Sequence, residues 1–264
     1  MDEKIVSIII ACYNAENYIE SCLDSLLNQT YQNFEIIICD DASNDNSLSL
    51  LMEYRKKDDR IKVLHNDTNR FAAFSRNRCL EISKGDFIMI QDIDDASVEN
   101  RIEKLIKAIS NSDADFASSA VFQFDEDIQQ VQGIFHPRKL TPTKYDFLWN
   151  LPFHHPATMF KRECIVSVGG YRVSSETRRG QDYDMFMRMY ANGYKGINID
   201  EPLYYFRVNA ANIRRRTWVA RKDEIKIRYR GFKAMKLLPM GLLFVLKPIP
   251  AHFVQKFKYK EYKG

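Results

Sequence analysis

Three short, nearly continuous apolar runs alternate with stretches whose apolar residues recur at helical spacing, and that alternation leaves very few folds open. Val6 to Ala11, Phe34 to Cys39 and Phe87 to Ile90 are each one strand long and carry scarcely any polar residues, the pattern of strands covered on both faces, and a further strand is predicted over Ile61 to His65. Between them, Ile19, Cys22, Leu23, Leu26 and Leu27 mark one helix face, and Ile102, Leu105, Ile106 and Ile109 mark another. Further helices are predicted over 47–57 and 71–83. The order predicts an α/β fold, a Rossmann-like and mostly parallel central sheet flanked by helices. At 264 residues and 45% hydrophobic, the chain can bury a full core, with length for one catalytic body and an appendage.

In open parallel sheets, ligands bind at the carboxyl ends of strands. Tyr13-Asn14, Asp40-Asp41 and Asp92-Ile93-Asp94-Asp95 each follow a predicted strand and so converge on one rim. The three carboxylates of the last run raise one another's pKa unless a cation shares them, and their oxygens suit a hard divalent ion. Taken alone, the same run reads as an acidic turn capping the next helix. Its company on the rim favours a ligand site.

The order and spacing of Ser7 to Asn14, Asp40 to Asp45, Ser75-Arg76-Asn77, Asp92 to Asp95, Gly169-Gly170-Tyr171 and Gln181-Asp182 resemble those of family 2 glycosyltransferases. These are inverting enzymes of the GT-A fold that use nucleotide-sugar donors, and the resemblance covers about residues 5–211. It implies that Asp41 hydrogen-bonds the donor base, with Tyr13, Asn14 and Glu16 completing the base and ribose pocket, while Asp40 serves the turn. Arg76 then lies near the nucleotide or diphosphate. Asp94 binds Mn²⁺ or Mg²⁺, Asp92 contacts the ribose and supports the metal, and Asp182 is the catalytic base. His154, His155, Gln181 and Arg207 are assigned to the acceptor or the diphosphate. The chain departs from the pattern in several places. Gln181 replaces an acid beside the base, Ala42, Phe71 and Cys79 stand where the family often has Gly, and Asn209 stands where many members have His. Arg214-Arg215-Arg216 offers alternative phosphate contacts. The adjacent histidines have no Cys or His partner at zinc-site spacing, and Trp149 and Phe153 read either as sugar platforms or as core.

Charge divides the chain. Residues 1–211 hold 24 Lys/Arg against 32 acids, whereas residues 212–264 hold 15 against 3. An amphipathic basic stretch that turns apolar through Leu237 to Leu246 predicts a membrane-interface element; the apolar run argues against nucleic acid. A helix folded back on the body is the competing reading. There is no CxxC pair among five cysteines, no apolar leader and no apolar run of about 20 residues. The expected organisation is a glycosyltransferase domain over 1–211, nucleotide-binding to about 111 and acceptor-side over 112–211, followed by a helical region over 212–264. The expected activity is metal-dependent, inverting transfer from a UDP-linked sugar to a lipid-linked saccharide in surface polysaccharide synthesis. The expected location is cytoplasmic, peripheral on the inner face of the membrane. A metal-dependent nucleotidyl- or phosphotransferase and a non-catalytic nucleotide-sugar-binding module are the rival readings.

Overall fold

The computed structural model describes residues 4–208 and 218–250. Strands β1 (Val6–Cys12), β2 (Phe34–Asp40), β3 (Ile61–His65) and β4 (Phe87–Asp92) form a parallel block in the order β3-β2-β1-β4. Their lack of polar alternation has a direct cause, since both faces are covered. Ile8, Ile10, Ile36 and Ile38 pack with Leu23 and Leu26 of α1 (Ile19–Leu27) and Ile102 and Leu105 of α4 (Arg101–Ser110). Ile9, Ile37, Ile88 and Ile90 face the opposite core with Ala73, Cys79 and Leu80 of α3 (Phe71–Ile82). Each of these isoleucines is fully buried, and burial of such a side chain stabilises by roughly 1.5–3 kcal/mol. Helix α2 (Ser47–Lys57) ends in Arg55, Lys56 and Lys57, cations that complement the negative end of the helix dipole.

Beyond β4 the sheet becomes mixed. It continues through β8 (Thr158–Lys161), β6 (Phe116–Phe124), β9 (Gly196–Arg207) and β5 (Ala96–Ser97), with β7 (Gly133–Phe135) paired antiparallel to β6. Strand β8 runs antiparallel to both β4 and β6, whereas β6 and β9 are parallel. Two 3₁₀ turns (Lys144–Leu148 and His155–Ala157), α5 (Arg162–Ser167) and α6 (Gln181–Ala191) complete the half of the body beyond β4. Phe153 lies in its core, stacked on Phe186 with ring centroids 5.2 Å apart.

Helix α7 (Trp218–Ala234) folds back onto α6. Gly231 makes the approach possible, because a Cβ there would lie 2.2 Å from Met187 Sδ. Ile227, Phe232, Met235 and Leu237, with Val245 of the one-turn α8 (Leu242–Val245), complete the larger core. The described part of the basic region is thus integral to the body rather than a free appendage. Among the described residues, no helix is long and apolar enough to cross a membrane. Asn209, Arg214-Arg215-Arg216 and residues 251–264 lie outside the described residues.

Candidate active site

The ends of β1 and β2 are laced together by the residues singled out at the nucleotide end. Asn14 N donates to Ser43 Oγ (2.9 Å), and Asn44 N donates to Asn14 Oδ1 (2.8 Å). Asn46 N donates to Glu16 Oε2 (2.9 Å). These bonds shape the rim and leave the Tyr13 ring 46% exposed, available to cover a base. Asp40 is fully buried and accepts from Ser43 N and from His65 Nδ1 (2.9 Å), the turn role expected of it. Asp41 Oδ1 accepts from Asn66 Nδ2 (2.6 Å) and Arg70 N (2.8 Å), so the loop after β3 is pinned to the Asp41 carboxylate. Ala42 and Phe71 have φ of 60° and 66°, which explains why glycine suits these positions. The Phe71 ring carries the Arg178 guanidinium 4.0 Å from its centre. Cys79, by contrast, is packed inside α3 and fully buried.

The acidic turn is held from β9. Tyr204 Oη donates to Asp95 Oδ2 (2.8 Å) and accepts from Asp92 N (3.1 Å), and Arg207 N donates to Asp95 Oδ1 (2.7 Å). Asp95 is therefore used internally. Arg207, expected at the acceptor or diphosphate, commits Nε to Asp94 O (2.9 Å) and Nη1 to the carbonyls of Asp125 and Glu126, so it clamps the turn. Burial and then the neighbouring Asp92 raise the pKa of Asp94, as expected of carboxylates crowded without a shared cation. Asp92 and Asp94 fit a divalent ion by their oxygen chemistry. Among the described residues no set of three or more His, Cys, Asp or Glu side chains is assembled for a metal, so a diphosphate would have to supply the remaining oxygens.

Beneath the turn lie two arginines. Arg101, fully buried, donates to Gln91 Oε1 (2.8 Å), Ser97 Oγ (2.9 Å), Ile90 O (2.8 Å) and Pro156 O (2.7 Å), and stacks 4.6 Å from the Tyr204 ring centre. Burial lowers its pKa to about 10. The sequence reading passed over Arg101 and Tyr204, because an arginine beside Ile102 at a helix start and a tyrosine in a strand carry no distinguishing signal. Arg76 is 6% exposed and ion-paired with Asp92 Oδ1, so it is tied to the acidic turn through that carboxylate.

Arg76 also joins the acidic turn to Asp182, in the first turn of α6. Burial raises the Asp182 pKa; the Tyr183 backbone N–H and the Arg76 charge pull it back down, and Asp92 pushes it up again. Tyr171 covers Arg76, with the guanidinium 5.7 Å from its ring centre, and its hydroxyl lies 2.7 Å from His155 Nε2. Burial, then Arg76, hold His155 well below its ordinary pKa, so this imidazole is neutral. Burial lowers His154 to about 4, and its ring packs edge-on against Phe135 at 4.7 Å. Neither histidine therefore offers a charge to a phosphate. Asn77 binds both backbone groups of Tyr171, Nδ2 donating to Tyr171 O (2.7 Å) and Oδ1 accepting from Tyr171 N (2.8 Å). The Ser75-Arg76-Asn77 and Gly169-Gly170-Tyr171 landmarks thus form one bracket.

A cavity of about 1100 Å³ runs past Asp182 between α6 and α7, lined also by Tyr183, Arg178, Arg228, Lys247 and Pro248. Gln181 faces a smaller cavity of about 220 Å³ with Asn69, Arg70 and Phe71. The family model for "Glycosyl transferase family 2" matches residues 7–169. The chain belongs to glycosyltransferase family 2. Putative glycosyltransferase EpsE of Bacillus subtilis (strain 168) is 32% identical over 253 residues, 94% of this chain and 89% of that protein. The Escherichia coli protein WfaP, UDP-Glc:alpha-D-GlcNAc-diphosphoundecaprenol beta-1,3-glucosyltransferase, is 30% identical over 80% of each chain. S. aureus TarS, in complex with UDP-GlcNAc, superposes with a TM-score of 0.71 at 20% identity, covering 87% of this chain and 66% of that one. That likeness is one of fold, the expected GT-A architecture. Membership of family 2 makes the protein a glycosyltransferase, in place of the nucleotidyl- or phosphotransferase and non-catalytic readings.

Proposed function

We propose that this glycosyltransferase moves a sugar from a UDP-linked donor to a lipid-linked saccharide with inversion at the anomeric carbon. The observation that carries the reading is the charge network in which Arg76 pairs with Asp92 and lowers the pKa of Asp182. It supports the reading because one buried cation both pairs with Asp92, assigned to the leaving-group grip, and acts electrostatically on Asp182, assigned as the proton acceptor. Tyr13 and Asp41 take the base, with Asn14 and Glu16 shaping its rim. Asp92 and Asp94 would hold Mn²⁺ or Mg²⁺, which when bound neutralises charge developing on the departing diphosphate. Asp182, facing the larger cavity, accepts the acceptor hydroxyl proton as that oxygen attacks from the side opposite the diphosphate. Its raised pKa makes it a stronger base than a free carboxylate.

The UDP-linked donor is supported by the UDP-sugar named for WfaP and the UDP-GlcNAc complex of TarS. The lipid-linked acceptor is supported by the diphosphoundecaprenol in WfaP's name. Work at the inner face of the cytoplasmic membrane, on a surface polysaccharide, follows from such an acceptor and the basic C-terminal region. The test is the product's stereochemistry. With an α-linked UDP-sugar and Mn²⁺, proton NMR of the first product should show a β-linkage. An α-linkage would contradict the single displacement.

A further inference from the structure

The fold divides the apolar run that ends the described chain. Leu237 and Val245 are buried in the core, whereas Met240, Leu242, Leu243 and Leu246 are 54%, 50%, 82% and 49% exposed. Four large apolar side chains on one short segment thus face outward. Trp149, 58% exposed, joins them through an edge contact with Phe244 at 5.0 Å. Cations flank the segment. Lys233 and Lys236, at the end of α7, are exposed, and the Lys247 amino group lies 5.6 Å from the Trp149 ring centre. Residues 218–250 carry eight Lys/Arg against two acids, and residues 251–264 add four lysines against one glutamate.

This chemistry selects the occupant. A stable protein partner needs about 800 Å² on each side, and a second copy would set the same cations against each other. A short apolar segment with a half-exposed tryptophan and flanking lysines matches a lipid interface. There the leucines enter the acyl boundary while the ammonium groups remain with anionic headgroups. Lys247 and Pro248, directly after the segment, also line the cavity that contains Asp182.

We propose that Met240–Leu246 is a membrane-docking element that seats the mouth of the Asp182 cavity on an anionic bilayer. The docking is a property of the surface; its use, delivery of a lipid-linked acceptor, rests on the function proposed above.

The test is flotation of the full chain, without donor or acceptor, with phosphatidylcholine vesicles that do or do not contain phosphatidylglycerol. The wild-type chain should float with the anionic vesicles, and Leu243→Glu should lower its partition by about tenfold or more, since one buried leucine is worth at least that factor. Lys233→Glu/Lys236→Glu should weaken binding at low salt and much less at high salt. Met52→Glu, on α2, should bind as wild type. In a Trp218→Phe chain, whose remaining tryptophan is Trp149, brominated lipid should quench the fluorescence. Flotation of Leu243→Glu equal to wild type would overturn the proposal. So would a vesicle-free dimer that Leu243→Glu dissociates, which would give the surface to a second copy. A chain that docks as described yet transfers nothing to lipid-linked saccharides would leave the docking element standing and contradict the acceptor reading.

Discussion

Arg76 brings a positive charge into a place where burial works against the charged form of Asp182. Arg76→Met should therefore raise the Asp182 pKa. As the proposed base, Asp182 acts when deprotonated, so activity should fall as pH drops through that pKa, and the acid limb of the kcat profile should move to higher pH in the variant. An unmoved limb, with only a lower plateau, would assign Arg76 to binding alone. Ala42 makes a second residue-scale prediction. Its φ of 60° is a conformation that costs an L-residue roughly 1–2 kcal/mol. Ala42→Gly should raise the unfolding free energy read by urea titration, by about 1 kcal/mol after the entropy of the added glycine is subtracted. Part of this site was legible in the residues themselves. Asp40's turn role followed from its place beside Asp41, and the positions resembling family glycines proved to need positive φ at Ala42 and Phe71. The hold of Arg207 on the acidic turn was not legible, because nothing local shows that its guanidinium meets the carbonyls of Asp94, Asp125 and Glu126.

At the scale of elements, the bracket between α3 and the turn before Arg172 explains why two distant landmarks occur together. Asn77 and Tyr171 are linked by two hydrogen bonds, and a Cβ on Gly170, at φ 62°, would lie 2.6 Å from Asn77 Oδ1. Gly170→Ala should cost about 2 kcal/mol, combining left-handed strain with displacement of Asn77, as read by urea unfolding. Arg101→Met should cost about 3 kcal/mol or more, because the Ile90 and Pro156 carbonyls lose their buried donor. Elements built from local pattern were readable, and α2 and β3 begin and end at the expected residues. Strand β8 was not read. Its four residues follow Pro156 and run straight into α5, too short to show a period. Nor was the first half of β9, where Asn198, Asp200 and Glu201 interrupt the apolar pattern of a strand whose pairing is set by β6, about 80 residues earlier in the chain. Such partnerships are tertiary, and they convert the predicted parallel sheet into a mixed one past β4.

At the scale of the molecule, the basic C-terminal region does two things that its composition read as one. Phe232, Met235 and Leu237 fill the core against α6, while Leu242 and Leu243 face outward. A chain ended after residue 217 would uncover Met187 and Tyr183 and forgo several side-chain burials of roughly 1.5–3 kcal/mol each. Since whole domains have only about 5–15 kcal/mol of stability, that chain should be largely unfolded or aggregated by circular dichroism and light scattering, not a soluble catalytic body. The same closure sets α7 along the cavity beside Asp182, linking the basic region to the reaction. The most direct test of the whole account is Asp182→Asn, followed by both donor binding and transfer. Calorimetric affinity for the UDP-sugar with Mn²⁺ should stay near wild type, while release of UDP in the presence of acceptor should fall by about 10²–10⁴-fold. Wild-type turnover in that variant would contradict the assignment of Asp182 as the base.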